Sequence, residues 1–132
     1  MKGAMAALKE AGARRVLPLK VSGPFHSALM ARAAEAFVPA LERAALNPPE
    51  HLFVSSVSGQ PETDPEAIRK LLGSQICAPV RWTDVMLTTG GAQAIEVGPG
   101  KVLQGIAKRI EGAPAVELAG TLEEANTLEI NT

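Results

Sequence analysis

The 132 residues suit one domain with a single core, and the low aromatic content of 3% leaves Ala, Leu and Val to fill that core. The net charge is −1 and the basic residues are scattered, which argues against nucleic acid and anionic lipid as partners. No apolar run approaches the roughly 20 residues of a membrane span. The single cysteine, Cys77, excludes an internal disulfide. These features predict a soluble, cytoplasmic protein.

The first half of the sequence predicts a helix, a strand, a long helix and a second strand, at Gly3–Gly12, Arg14–Ser22, Ser27–Leu46 and His51–Gly59. Pro18 weakens the first strand because proline removes a donor from the strand ladder. Ser27 is a suitable N-cap for the long helix, and Pro39 is expected to bend or split it.

The second half predicts alternating helices and strands around one irregular connection. Asp64 and Pro65 favour a helix start, and Thr121 with Glu124 forms a capping-box pattern. The predicted helices are Asp64–Gly73, Thr83–Gly91 and Thr121–Leu128, and Pro99–Ile110 is predicted as a glycine turn leading into an amphipathic helix. The predicted strands are Ala92–Gly98 and Ala115–Gly120, and Ser74–Trp82 is irregular. Such alternation favours an α/β fold with parallel strands.

The stretch "VSGPFHSALM" places His26 between a predicted strand end and a helix start. Ligands bind at that edge of α/β sheets, and a neutral imidazole there can take a proton from a hydroxyl. A histidine that merely packs at the junction is the alternative. The nearby hydroxyls of Ser22 and Ser27 lack the Gly-x-Ser-x-Gly turn that presents a serine nucleophile. A thiol at Cys77 paired with His26 is a further alternative.

Other candidates have simpler explanations. His51 follows a proline-rich turn and is expected at the surface, and the sequence has no zinc-ligand spacing. "GPGK", Gly98–Lys101, invites a phosphate-binding interpretation but lacks the P-loop spacing, so a tight strand-to-helix turn explains it better. Gln75, taken alone, is a polar residue just past a helix end.

Three stretches together resemble a known family. In order, "AGARRVLPLKVSGPFHSALM", "SQICAPVRW" and "IEVGPGKVLQGIAKRI" resemble the C-terminal part of malonyl-CoA:acyl-carrier-protein transacylases, up to about Ile110. The resemblance implies that residues 21–132 form the C-terminal part of a hydrolase-like α/β acyltransferase core with parallel strands. Residues 1–20 would be the last helix and strand of an inserted ferredoxin-like subdomain.

The resemblance also implies a chemistry. The family moves malonyl from coenzyme A to the phosphopantetheine thiol of acyl carrier protein in fatty-acid synthesis, through a malonyl-serine intermediate. His26 matches the general base, and Gln75 matches the residue whose main-chain carbonyl orients the imidazole. Phe25 resembles the aromatic residue that accompanies malonyl selectivity in related polyketide-synthase acyltransferase domains. No metal or resident cofactor is implied, because phosphopantetheine belongs to the carrier protein.

The sequence departs from the family in what it lacks. It contains no Gly-His-Ser-Leu-Gly elbow and no Gly-Gln-Gly-Ser-Gln-like loop, and the family's malonyl-binding arginine has no counterpart. We therefore expect the chain to be inactive alone and to expose an apolar core face through which it self-associates. Two alternatives are an excised part of a polyketide-synthase acyltransferase and a non-catalytic remnant that binds carrier protein.

Overall fold

The computed structural model describes residues 2–18, 21–90 and 93–128. Its first element, α1 (Lys2–Glu10), confirms the predicted N-terminal helix. The turn that follows the helix contains Gly12, whose φ of 89° lets Ala13 turn back to bond the carbonyl of Leu8 at 3.0 Å. Except for half-buried Met5, the described side chains of α1 are exposed.

Two predicted strands do not form. The described residues of the first, 14–18 and 21–22, belong to no strand, and residues 19 and 20 lie outside the described ranges. In the second, His51–Gly59, only Val54 pairs, in an isolated antiparallel bridge with Pro61. A strand exists only when a neighbour supplies the other half of its ladder. Within the described ranges the first segment has no such neighbour. The second has only the short pairing of residues 53–55 with residues 60–62, although both segments have strand-like composition.

The predicted long helix is divided near its start. A 3₁₀ turn spans Ala28–Met30 and continues into α2 (Ala31–Arg43). Ser27 holds the extended backbone of an N-cap, but its side chain makes no capping bond and instead donates to the carbonyl of Pro24 at 2.6 Å. The prediction of a side-chain cap is therefore wrong, because the preceding turn offers the hydroxyl a nearer acceptor.

Pro39 lies inside α2 and does not split it. Proline removes one helical hydrogen bond, here the bond to the carbonyl of Glu35. Both residues are exposed, so water can reach that carbonyl. The helix therefore continues through Pro39, because water can replace the N–H group that proline lacks.

Helix α3 (Pro65–Gln75) begins as predicted. The carboxylate of Asp64 accepts from the backbone N–H groups of Glu66 and Ala67, at 3.4 and 3.0 Å. The predicted exit at Gly73 is two residues too early. A β-carbon at Gly73 would lie 3.6 Å from the Leu41 side chain, so this glycine lies where α2 packs closely on α3.

Arg69 ties α3 to the end of α2. Its guanidinium donates to the carbonyls of Leu41 and Ala44, the second at 3.0 Å, and pairs with Glu66 at 3.3 Å. Leu41 lies in the last turn of α2 and Ala44 directly follows its last residue, a region where helices leave carbonyls short of internal donors. The Arg69 side chain is only 19% exposed, so the contacts are partly shielded from water.

The C-terminal part confirms the parallel α/β prediction. After α4 (Trp82–Thr89), β1 (Ala94–Val97) and β2 (Val116–Ala119) pair in parallel, with α5 (Val102–Ala107) between them in sequence. The last helix, α6 (Leu122–Thr127), has the predicted capping box. The last residue of the predicted helix Thr83–Gly91 and the first residue of the predicted strand Ala92–Gly98 lie outside the described residues. The buried apolar residues of the described ranges are Leu41, Ile68, Met86 and Ala107.

Replacing Arg69 with alanine is expected to lower the free energy of unfolding by about 1–3 kcal/mol, because the end of α2 loses charge-assisted donors. Urea unfolding followed by circular dichroism measures this loss. Lys70→Ala, at the exposed neighbouring position of α3, is the matched control and should change stability little. Equal losses in the two variants would contradict a capping role for Arg69.

Candidate active site

His26 has an unusual backbone. Its φ is 59°, and no other non-glycine residue in the described ranges has a positive φ. For an L-residue this left-handed conformation costs about 1–2 kcal/mol. The backbone N–H of His26 donates to the carbonyl of Ile76 at 2.8 Å, which holds the residue against the end of α3.

The imidazole of His26 is oriented by two main-chain carbonyls. Its Nδ1 lies 3.1 Å from the carbonyl oxygen of Gln75 and 3.0 Å from that of Ala78. A carbonyl oxygen can only accept, so Nδ1 must carry the proton. In the neutral ring Nε2 then keeps its lone pair. Because His26 is exposed, Nε2 is open to a proton donor arriving from outside the described residues.

The end of α3 shapes these acceptors. Beyond Gln75 the chain turns tightly, and the N–H groups of Cys77 and Ala78 both donate to the carbonyl of Ser74, at 3.0 and 2.9 Å. Pro79 then prevents the helix from continuing. The carbonyls at positions 75, 76 and 78 are thereby left without helical donors, and all three accept from His26.

The side chain of Gln75 makes a second contact. Its Nε2 donates to Oγ of Ser56 at 3.1 Å, and the carbonyl of Ser56 accepts from the N–H of Arg81 at 2.8 Å. The side chain of Arg81 pairs with Asp84 in the first turn of α4, at 2.7 Å. Sequence reasoning missed Ser56 and Ala78. A carbonyl acceptor has no residue signature, and Ser56 lies in a segment with a strand-like pattern.

The alternative nucleophiles near His26 are not joined to it. Ser27 bonds Pro24, and Ser22 is exposed. Cys77 is half-buried in the turn between the two carbonyl-bearing residues, yet in the described ranges its thiol makes no hydrogen bond to the imidazole. His51 is exposed, as predicted. The described hydrogen bonds therefore pair His26 with backbone acceptors rather than with a hydroxyl or thiol.

The glycine turn before α5 is already occupied by a carboxylate. Glu96 of β1 accepts from the N–H groups of Leu103 and Gln104, at 3.1 and 2.9 Å. Gly98 and Gly100 adopt φ values of 121° and 106°, which side chains disfavour. The strand-to-helix turn thus explains "GPGK", and the helix N-terminus that a phosphate would need is filled by Glu96.

Phe25 lies next to His26 in sequence and is 54% exposed. A β-carbon at Gly23 would lie 3.3 Å from the edge of its ring, so a side chain there would crowd the aromatic group.

Among the described residues no cluster of three metal-ligating side chains occurs. No helix in the described ranges is long and apolar enough to cross a membrane.

The known proteins that are similar to this chain in sequence and in structure belong to one class of protein. No protein-family model matches the chain. The malonyl CoA-acyl carrier protein transacylase of Haemophilus influenzae is 46% identical over 112 residues, which is 83% of this chain and 36% of that protein. The malonyl-CoA:ACP transacylase of Synechocystis superposes with a TM-score of 0.84 at 34% identity, covering 97% of this chain and 45% of that chain.

A third match is a complex of a type II polyketide-synthase acyl-carrier protein with its malonyl-transacylase. It is 39% identical, with a TM-score of 0.84, and the superposition covers 98% of this chain and 43% of that chain. The matched fold is that of an acyltransferase. More particularly, the chain is homologous to one portion of the malonyl-CoA:acyl-carrier-protein transacylases, as its motifs predicted. It spans about a third of the length of the curated relative from Haemophilus influenzae.

Two substitutions at His26 test its backbone conformation. Glycine adopts a positive φ without strain, so His26→Gly is expected to be more stable than His26→Ala by about 1 kcal/mol. Both variants lose the imidazole, so the difference in their free energies of unfolding isolates the backbone. At exposed Glu35 in α2 the order should reverse, with glycine less stable than alanine by about 1 kcal/mol. The same order at both positions would contradict the assigned conformation.

Proposed function

We propose that this chain supplies the general base of a malonyl-CoA:acyl-carrier-protein transacylase, with His26 as that base. The observation that carries the proposal is the pair of carbonyls, from Gln75 and Ala78, on Nδ1 of the imidazole. They fix the tautomer in which Nε2 accepts a proton, and they stabilise the imidazolium that results. A carbonyl dipole replaces the carboxylate of the more familiar triad.

The proposed reaction has two transfers. A serine hydroxyl gives its proton to Nε2 of His26 while its oxygen attacks the malonyl thioester, and the C–S bond then breaks as the imidazolium protonates the leaving coenzyme A sulfur. In the second transfer the phosphopantetheine thiol of acyl carrier protein gives its proton to Nε2. Its sulfur attacks the malonyl ester, and the serine oxygen leaves with the proton. The serine must come from polypeptide outside these 132 residues, which contain no nucleophile elbow.

In the proposed site Phe25 contacts the malonyl group of the substrate, since Phe25 adjoins His26 and is more than half exposed. It requires no metal or resident cofactor and places the enzyme in the cytoplasm. The excised polyketide-type acyltransferase would use the same base. It differs in the carrier protein served.

Exposed apolar side chains support a partner surface. Val97 and Val102, on either side of the glycine turn, are 83% and 69% exposed, and Leu29 near His26 is 81% exposed. Exposure of this kind is costly in water unless another surface covers it. It supports the proposal that the chain works against further polypeptide and self-associates without it.

A chimera tests the base. This chain would replace its matched segment in the Haemophilus influenzae transacylase, and malonyl transfer to acyl carrier protein would be measured. The chimera is expected to be active, and His26→Ala in it should lower kcat/KM by about 10²–10⁴, the usual contribution of a general base. His51→Ala, the other histidine of the chain, is the matched control and should leave the rate near that of the chimera.

A chimera that is active and indifferent to His26→Ala would refute the assigned base. The unfused chain, incubated with malonyl-CoA and weighed intact by mass spectrometry, should gain no malonyl group. A stable adduct on the unfused chain would instead reveal a nucleophile within it. Ser22, Ser27 and Cys77 would then be mapped first.

Phe25→Ser in the same chimera tests selectivity. Removing the ring leaves room for one more methyl group, so the ratio of kcat/KM for methylmalonyl-CoA to that for malonyl-CoA should rise roughly tenfold. Phe37→Ser, at an exposed aromatic position in α2, is the control and should not move the ratio. An unchanged ratio in Phe25→Ser, with malonyl transfer retained, would remove Phe25 from the substrate site.

A further inference from the structure

The orientation of His26 depends on one short piece of chain. We call residues 75–81 the clamp segment. It carries the carbonyls of Gln75 and Ala78 that accept from Nδ1, and the carbonyl of Ile76 that accepts from the backbone N–H of His26. Beyond the turn closed by Ser74 the segment has no regular structure. Its shape must therefore be fixed by contacts with the rest of the protein.

Ser56 bonds both ends of the clamp segment. At the first end its hydroxyl oxygen accepts from Nε2 of Gln75 at 3.1 Å. At the last end its main-chain carbonyl accepts from the N–H of Arg81 at 2.8 Å. The contact with Gln75 is partly buried, so water competes with it less than with an exposed contact. One residue thus spans the segment that orients the imidazole.

The turn that carries Ser56 is itself packed and hydrogen-bonded against its surroundings. Ser55 is only 3% exposed, and its hydroxyl accepts from the N–H of Val57 at 3.2 Å. The carbonyl of Gly59 accepts from the hydroxyl of Thr88 in α4 at 2.9 Å. A side chain at Gly59 would collide with the β-carbon of Asp84, so this turn lies directly on α4. Ser56 therefore links the clamp segment to a fixed support.

We propose that Ser56 is a positioning residue, whose hydroxyl, through the side chain of Gln75, holds the clamp segment in the shape that selects the Nδ1–H tautomer of His26. The inference relies on the proposed function only in naming His26 as the base. The hydrogen bond from Ser56 holds the side chain of Gln75, and the main-chain carbonyl of the same residue accepts from Nδ1 of His26. When the hydroxyl is lost, the acceptors can move away from Nδ1, and the proton is then shared with Nε2.

The test is nuclear magnetic resonance of the 132-residue chain labelled with ¹⁵N in its histidines. Two-bond correlations between the carbon-bound ring protons and the ring nitrogens distinguish a protonated Nδ1 from a protonated Nε2 in each neutral imidazole. His51, which is exposed, provides an internal reference in the same spectrum. The measurement needs no substrate and no transfer activity, so it can fail or succeed independently of the proposed function.

Ser56→Ala is expected to lower the ratio of Nδ1–H to Nε2–H tautomer at His26 by roughly two- to fivefold, the effect of losing one net hydrogen bond. Ser56→Thr keeps a hydroxyl and should restore most of the ratio. Ser58→Ala is the matched control, because Ser58 lies in the same turn and its hydroxyl accepts from the N–H of Gln60, at 3.2 Å, rather than from the clamp segment. It should leave the ratio at the wild-type value.

Gln75→Met provides a second route, since it removes the Nε2 donor while keeping the main-chain carbonyl and a side chain of similar length. It should lower the ratio as Ser56→Ala does, and the double variant should lower it no further. A wild-type ratio in both single variants would overturn the proposal. So would equal falls in Ser56→Ala and Ser58→Ala, which would indicate general loosening of the turn.

Discussion

One N–H group, on Nδ1 of His26, is shared between two carbonyls, one from the last residue of α3 and one from the turn that follows it. Every helix ends with carbonyls that lack donors, and they are usually satisfied by solvent or by a following glycine. Here a side chain 49 positions away in sequence from Gln75 supplies the donor. The contact satisfies the end of the helix and aims the imidazole at the same time. Loss of either function would therefore disturb the other.

Other contacts in the described structure determine where the C-terminal end of α3 lies relative to His26. Asp64 fixes where α3 begins, and Arg69 joins α3 to the helix that follows His26. The 3₁₀ turn Ala28–Met30 brings the chain from His26 into α2 without a side-chain cap at Ser27. The two sides of the site thus belong to helices that are tied together some distance from it. The positive φ of His26 is the local cost of making the two sides meet.

The sequence predicts most of the parts of this fold that depend on neighbouring residues, although the cap expected at Ser27 is replaced by an equally local contact with Pro24. The caps at Asp64 and at Thr121 with Glu124 are correct, because each contact spans three residues or fewer. Strands at Arg14–Ser22 and His51–Gly59 fail because a strand depends on a distant partner that local composition does not reveal. Gly73 signals a helix exit by its type, yet α3 continues to Gln75, and the position of this glycine beside Leu41 is visible only in three dimensions.

The site follows the same division. His26 and Gln75 are named by motifs, whereas Ala78 and Ser56 are not, because a main-chain acceptor can be any residue and a hydroxyl contact across 19 positions leaves no periodic trace. The parallel pair β1 and β2 is correctly predicted from alternation, but the role of Glu96 is visible only in three dimensions.

Glu96 gives the turn before α5 an electrostatic character of its own. Its carboxylate is attached to the adjoining strand and bonds two N–H groups in the first turn of α5. A tethered group of this kind competes at an effective concentration on the order of millimolar or more. A free anion would have to displace the Glu96 carboxylate, which is covalently part of the chain and cannot diffuse away. The N–H groups that an anionic ligand would need at this turn are thereby already engaged by the chain itself.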